Sequence, residues 1–227
     1  LEQVYGFSAK LEHTNGMMES VQLIGDLNST MGDVQKGIEV IGLAIKQYSR
    51  LFSKEDLAVL YIAKAALHND ANEPQKALEI FNLAKEIVNQ PATKARLFAN
   101  RGNSYQAMGE YEPALKDYQT ALDIYLELGH LKYATITYTN LGLIYYNLSD
   151  FKKSLEFYKR GLQLAEEFNE PSLLAQCYSN IGATYEKLDS MDTAISFYLK
   201  GLDIAKNQGD QLKMAQNYLN IGNIYNR

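Results

Sequence analysis

The sequence predicts an all-α fold, a right-handed α-solenoid of about five and a half helix-turn-helix repeats. Three observations lead to this prediction. A glycine motif returns at a constant spacing, a second set of small and aromatic residues follows each copy at fixed offsets, and prolines and turn residues fall where helices should begin and end. The 227 residues are therefore expected to form a row of similar units, each packed against its neighbours, rather than a single compact core.

The first observation is the recurring motif, which is most complete between Tyr138 and Tyr145. Its glycines are Gly102, Gly142, Gly182 and Gly222. Gly142 and Tyr145 are three residues apart, so they share one face of a helix. The absent side chain at the glycine lets a partner helix approach closely, while the tyrosine ring fills the space beside it.

The second observation is a set of three positions at fixed offsets after each glycine, which predicts a second helix in every repeat. These positions hold a small residue, a tyrosine and another small residue. The copies are Ala114, Tyr118 and Ala121, then Ser154, Tyr158 and Gly161, then Ala194, Tyr198 and Gly201. The small residues are expected to mark the seam along which the helices pack closely.

Together these positions resemble the tetratricopeptide repeat, which carries Leu-Gly-x-x-Tyr on a first helix and Ala-x-x-x-Phe on a second. The sequence departs from that pattern because no Trp opens a repeat, Arg101 replaces one Leu, and no Pro closes the second helix. Its step of about 40 residues also exceeds the usual step of about 34. In this respect it is similar to kinesin light chains and bacterial regulatory tetratricopeptide proteins.

The elements follow in order along the chain. Residues 1–17 are predicted to be a leader or capping helix, and the repeat array begins at residue 18. The predicted repeats are 18–50, 55–90, 91–129, 130–169, 170–209 and an incomplete 210–227. The predicted helices are 18–31, 34–48, 55–70, 73–89, 92–108, 111–128, 131–148, 151–168, 171–188, 191–207 and 211–226. The first two repeats are irregular, with Ala65 in place of the motif glycine.

The third observation concerns helix ends. The four prolines, Pro74, Pro91, Pro113 and Pro171, fall at predicted helix starts, where a missing N–H costs nothing. Three predicted helix ends carry Gly or Asn, which tolerate a left-handed cap. They are Gly129, Asn169 and Gly209.

Composition and charge exclude several function classes. The net charge of −5 is spread along the chain, which argues against nucleic acid and against an anionic membrane surface. No apolar run is long enough to span a membrane and no signal peptide opens the chain, so a cytoplasmic location is the default expectation, with a periplasmic or other location as the alternative.

No catalytic or metal-binding group emerges from the sequence, and no cofactor is predicted. His13, His68 and His130 have no ligand partners at metal-binding spacing. Cys177 is expected to be a buried structural thiol. The tyrosines of the glycine motif are expected to be core rings rather than a platform for stacking bases. These are Tyr105, Tyr145, Tyr185 and Tyr225.

The candidate binding residues are asparagines two positions before each motif glycine. They are Asn100, Asn140, Asn180 and Asn220. At 100° per residue they point away from the seam, towards the concave wall predicted for first helices. An amide both donates and accepts, so a row of them can hold the backbone of an extended peptide. This resembles the asparagine ladder of some tetratricopeptide proteins. The alternative is that Asn merely tolerates a half-exposed face or bonds to the next repeat.

Residues beside this row differ between copies, as expected where the row holds a peptide backbone and its neighbours select side chains. Asn103, Tyr146 and Glu186 are the predicted selectivity residues; ordinary surface variation is the alternative. The wall is not strongly basic, which argues against a clamp for peptide carboxylates.

The predicted function is a protein or peptide interaction scaffold without catalysis. The alternative is a sensory region of a larger signalling protein, and an output domain after Arg227 would distinguish the two. Tyr218, Ile221, Ile224 and Tyr225 are expected to present an uncovered face that allows end-to-end self-association.

Overall fold

The computed structural model describes residues 16, 21, 23 and 32–226, and within residues 32–226 the chain forms ten α-helices and no strand. The helices are α1 (Val34–Tyr48), α2 (Lys54–Asp70), α3 (Pro74–Lys85), α4 (Pro91–Ala107), α5 (Tyr111–Glu127), α6 (Leu131–Asn147), α7 (Phe151–Glu167), α8 (Pro171–Lys187), α9 (Met191–Gln208) and α10 (Gln211–Tyr225). The predicted leader and the predicted helix 18–31 lie outside the described residues, apart from those three positions. None of the helices described is long and apolar enough to cross a membrane.

The chain divides into two compact units, Leu1–Ala121 and Leu122–Arg227. In unit 1, α1 packs on α2, α2 on α3, and α4 on both α2 and α3. Its core contains Ile41, Leu60 and Phe81, which are at most 1% exposed. Phe81 follows Ala65 at the same offset as Tyr158 follows Gly142, so this irregular repeat keeps the spacing of the motif with different residues.

Unit 2 contains the end of α5 and helices α6 to α10. Each of α6 to α9 packs on the helix that follows it. The first helices also meet across the repeats, α6 with α8 and α8 with α10. The constant spacing of the motif therefore places equivalent first helices side by side within this unit.

Local signals account for most helix ends. Pro74, Pro91 and Pro171 stand at the first positions of their helices, as predicted. Gly129, Asn169 and Gly209 have φ angles of 67°, 51° and 68°, which confirms the predicted left-handed turns. Ser149 and Asp189 adopt φ angles of 60° and 55°, which was not predicted because both residue types adopt this conformation far less readily than glycine.

The seam within each repeat confirms the predicted close approach of the helices. A Cβ atom placed on Gly142 would lie 2.6 Å from Cδ1 of Tyr158, and one on Gly182 would lie 2.8 Å from Cδ1 of Tyr198. In unit 1 the same pairing joins Gly102 to Tyr118. The three second-helix tyrosines are at most 2% exposed, so each ring occupies the volume that the glycine leaves empty.

Three expectations need correction. The motif tyrosines are not core rings: Tyr105, Tyr145 and Tyr185 are partly exposed and Tyr225 is 74% exposed. The motif places them at the outer edge of the seam, whereas the tyrosines of the second helices fill its centre.

The helix predicted at 73–89 ends at Lys85. Ile224 is 8% exposed and packs against Ala194 and Tyr198, so it does not belong to the uncovered face of α10.

Candidate peptide-binding face

In unit 2 the asparagine row lies on three neighbouring first helices. Asn140 is on α6, Asn180 on α8 and Asn220 on α10, and all three are partly exposed. The Oδ1 atom of Asn220 accepts a hydrogen bond of 3.1 Å from Nε2 of Gln216, one turn earlier on the same helix. The structure thus places the three amides at equivalent positions on helices that pack side by side.

In unit 1 the equivalent residue, Asn100, bonds within its own helix. Its Nδ2 atom donates to the Arg96 carbonyl at 2.9 Å, and its main-chain oxygen accepts from Nδ2 of Asn69 at 3.3 Å. Asn69 in turn accepts a 2.8 Å bond from the buried Ser104 hydroxyl, which links α2 to α4. Hydrogen bonding within the protein was the alternative explanation for this asparagine, and it occupies one of the two side-chain N–H groups of Asn100. A side-chain amide carries two N–H groups and an oxygen with two lone pairs, so one such bond does not saturate it.

The buried tyrosines reach the predicted selectivity residues. The Tyr198 hydroxyl donates to Oε2 of Glu186 at 3.1 Å. The Tyr118 hydroxyl donates to Oδ1 of Asn103 at 2.6 Å and lies 2.8 Å from Oε1 of Gln106. Each tyrosine thus crosses its repeat from the second helix and fixes a polar side chain on the first.

Tyr146 and Glu186 lie on helices that contact each other, α6 and α8, and they interact electrostatically. The Tyr146 ring lies 5.6 Å, edge to face, from the Phe151 ring. Burial raises the pKa of Tyr146, and the negative charge of Glu186 adds to this effect. A carboxylate and a phenol ring on one face suit a basic or hydrogen-bond-donating side chain of a bound peptide.

Sequence reasoning missed a buried ion pair in unit 1. Arg101 Nε lies 2.6 Å from Asp117 Oδ2, and Arg101 Nη2 donates to Asp117 Oδ1 at 2.8 Å. The two side chains are 9% and 6% exposed. One signal was available, because Asp117 occupies the position that is Phe157 and Phe197 in the later repeats while Arg101 replaces a leucine.

The remaining titratable candidates are structural. Cys177 is 1% exposed, its Sγ lies 4.0 Å from Oγ1 of Thr139, and burial raises its pKa to about 11. This agrees with the predicted buried thiol. His68 Nδ1 lies 2.7 Å from Oε2 of Glu73. Within the described part of the chain, no group of three or more His, Cys, Asp or Glu side chains is arranged to hold a metal ion.

Two family models match the chain, both described as tetratricopeptide repeat. They cover residues 93–167 and 175–208. These two segments are tetratricopeptide repeats, and the fold class is the predicted all-α solenoid of helix pairs. Such repeats support a role as a protein-interaction scaffold. A search of curated proteins finds no match.

Solved structures with the same fold include three with similar helix arrangements. BtubC (BKLC) from P. vanneervenii has a TM-score of 0.81 and 20% identity, over 92% of this chain and 89% of that one. Kinesin light chain TPR-like repeats from Podosopora anserina give a TM-score of 0.69 and 13% identity, over 85% and 97%. A STAND signal-transduction ATPase with a tetratricopeptide repeat sensor, from Pyrococcus horikoshii, gives 0.77 and 18%, over 91% and 31%. At these identities the likeness concerns the fold.

Proposed function

We propose that this protein holds an extended segment of a partner protein along the first helices of unit 2. Asn140, Asn180 and Asn220 bind the peptide backbone, and Tyr146 and Glu186 select its side chains. The observation that carries the proposal is the repetition of an amide at one position on three helices that pack side by side. Asn100 and Asn103 occupy the corresponding positions of unit 1 and are proposed to act in the same way there.

The chemistry of the face supports recognition of backbone rather than of one charged group. Amides pair with both N–H and C=O groups, which every residue of a peptide offers. The adjacent tyrosine hydroxyls hold Glu186 and Asn103 in place, so these side chains lose less conformational freedom when a peptide binds. The Tyr146 and Glu186 pair favours a basic side chain at that point of the peptide.

The test uses peptides selected by the native chain from a random library, with binding measured by calorimetry. The variant Asn140→Ala, Asn180→Ala, Asn220→Ala should lose most of the affinity, because each amide contact contributes about 1 kcal/mol. The matched control is Gln163→Ala, Asn207→Ala, which removes two exposed amide side chains from the second helices α7 and α9. Equal binding by the row variant and the control, at unchanged helicity, would exclude this face.

The second candidate function, a sensory region of a larger signalling protein, is favoured by one specific observation. The solved structure from Pyrococcus horikoshii is described as having a tetratricopeptide repeat sensor. The likeness shows the fold alone, so this function stays a prediction. A peptide whose binding changes the activity of a domain joined to this array would support it.

A further inference from the structure

A cluster of three rings recurs in the complete repeats of unit 2. The Phe157 ring stacks on Tyr145 at 5.3 Å and lies 6.3 Å from the Tyr138 ring. In the next repeat, Phe197 stacks on Tyr185 at 5.5 Å and lies 6.1 Å from Tyr178. Leu141 and Ile181 hold the position that is Arg101 in unit 1, and they are at most 2% exposed. In both repeats the central ring is a phenylalanine, and an exposed lysine lies over the cluster: Nζ of Lys153 is 5.1 Å from the Tyr145 ring and Nζ of Lys200 is 5.2 Å from the Phe197 ring.

The equivalent site in unit 1 has a buried ion pair at its centre instead. Phe98 and Tyr105 keep the two outer rings, but Asp117 stands where the central ring should be and Arg101 replaces the aliphatic residue. The Arg101 guanidinium carbon lies 5.2 Å from the Phe98 ring centroid and 5.8 Å from that of Tyr105. Arginine and aspartate together fill less volume than the leucine and phenylalanine at the same positions of the next repeat. The structure has a cavity of about 360 Å³ at this position.

The cavity has a positive charge. Two exposed lysines, Lys85 and Lys116, line it together with Arg101, whereas Asp117 is the one acidic residue in its lining. The Asp117 carboxylate accepts hydrogen bonds from Nε and Nη2 of Arg101. The third nitrogen of Arg101, Nη1, has only a 3.5 Å contact with Oδ1 of Asn82. A guanidinium has five N–H donors. Arg101 therefore has donor capacity beyond these three contacts, and the side-on pair with Asp117 fixes its orientation.

We propose that this cavity binds a phosphate monoester carried on a planar group. The formal charge of the lining side chains is +2, which matches the charge of about −1.5 to −2 on a phosphate monoester at pH 7. Arginine and lysine are the side chains that bind phosphate most often. The rings of Phe98 and Tyr105 supply apolar walls for the planar group, and the volume is within the usual range for small-ligand sites. The residues involved are separate from the proposed peptide-binding residues of unit 2.

The first experiment titrates the whole native chain with phenyl phosphate by NMR at low salt. Binding is expected with Kd of roughly 0.1–1 mM, as suits a ligand of this size, and it should weaken below about pH 6 as the phosphate takes up a proton. Phenol and inorganic phosphate alone should each bind at least about tenfold more weakly. The absence of binding by phenyl phosphate would overturn the proposal. Equal binding by inorganic phosphate would show that the planar group does not contribute to recognition.

Two variants locate the site. Arg101→Leu, Asp117→Phe installs the apolar residue types that the later repeats use, so it should fold and lose binding by more than about tenfold. Lys85→Ala, Lys116→Ala alters two exposed side chains and should lose about tenfold together with most of the salt dependence. The control Lys132→Ala, Lys152→Ala, at exposed lysines of unit 2, should bind like the native chain. Native-like binding by both site variants would overturn the assignment.

A further pair of probes distinguishes the source of the phosphate. A short phosphotyrosyl peptide carries its phosphate directly on a planar ring, whereas a nucleoside monophosphate joins its phosphate to a planar base through the ribose. Tighter binding of the peptide by at least about tenfold would indicate a modified partner protein, whereas tighter binding of the nucleotide would indicate a small-molecule ligand. Weaker binding of both than of inorganic phosphate would contradict the proposal.

Discussion

The repeat at the end of unit 1 and the two complete repeats of unit 2 share a framework and differ in the cluster beside it. All three keep a glycine against a buried tyrosine, with close approaches of 2.6–2.8 Å to a built Cβ atom. Beside that seam, unit 2 has a phenylalanine between two tyrosines, whereas unit 1 has the Arg101 and Asp117 pair. The same framework therefore accommodates two different neighbouring clusters.

Breaking the ion pair should have the largest effect on stability. Asp117→Ala leaves a guanidinium without its carboxylate in a buried site, which should cost about 3–5 kcal/mol of unfolding free energy. Arg101→Leu, Asp117→Phe removes both charges and should stay within about 1 kcal/mol of the native chain or exceed it. Denaturant unfolding followed by circular dichroism measures both. Similar losses in the two variants would show that the site cannot accept the apolar cluster.

Overfilling the seam should come next. Gly142→Leu forces a side chain into the ring of Tyr158, and we expect a loss of about 3 kcal/mol by overpacking. Gly222 is the matched control, because a Cβ atom built there has no neighbour within 4 Å. Gly222→Leu should be neutral or slightly stabilising, since leucine favours a helix more than glycine does. An unchanged melting temperature in Gly142→Leu would contradict the seam.

Transplanting the charged cluster into unit 2 tests whether its members act as a pair. Phe157→Asp alone should be strongly destabilising, because it buries an unpaired carboxylate and removes the stacked ring. Adding Leu141→Arg should recover about 1–3 kcal/mol, the usual size of coupling between contacting residues. A double-mutant cycle gives this coupling directly. If the free-energy changes of the two substitutions simply add, the pairing of these residues depends on other features of unit 1.

The buried tyrosines predict how stability depends on pH. Burial raises the pKa of Tyr118 and Tyr158 well above the ordinary value of 10.0. Above about pH 10 the unfolded chain loses these protons while the folded chain retains them, so unfolding free energy falls as pH rises. Each tyrosine should contribute up to about 1.4 kcal/mol per pH unit. Below pH 10 this contribution to stability is fully present.

Cys177 adds to the same trend, because burial raises its pKa from 9.0 to about 11. Its contribution is lost between these two values. Unfolding measured at pH 8, 10 and 11 should show the decline, and Tyr158→Phe should make it less steep. A slope unaltered by Tyr158→Phe would show that this hydroxyl ionises equally in both states.

The smallest effect on stability is expected for Tyr218 and Tyr225 on α10. Among the described residues, these two tyrosines lack the aromatic ring partners that the equivalent tyrosines have in the two preceding repeats. Tyr218 and Tyr225 are 51% and 74% exposed. Tyr218→Ser, Tyr225→Ser should change stability by less than about 0.5 kcal/mol and weaken the end-to-end association predicted from the sequence, as measured by sedimentation velocity. The control is Leu199→Ser on α9, which is 51% exposed. An association constant altered equally by both variants would argue against this face.

The sequence allowed the regular part of the fold to be predicted because its signals are local or periodic. Helix ends followed from Pro91, Pro171 and Gly209, and the seam followed from the fixed spacing of Gly142 and Tyr158. The predicted domain bounds and the binding roles of the asparagines stay predictions. Solvent exposure was harder to predict, as Tyr145 and Ile224 show. The period of the repeat gives the order of the helices but not how deeply each side chain is buried.

By itself the sequence determined that this chain is a row of helix pairs with glycine and tyrosine at the seam. Backbone preferences act over a few residues, and the spacing of the motif repeats along the chain. Only the tertiary structure showed that Arg101 meets Asp117, that a cavity lies beside them, and that the Tyr198 hydroxyl holds Glu186. These contacts join different helices. A pairing that occurs once has no periodicity in the sequence, and its energy depends on burial, which arises only when the helices pack.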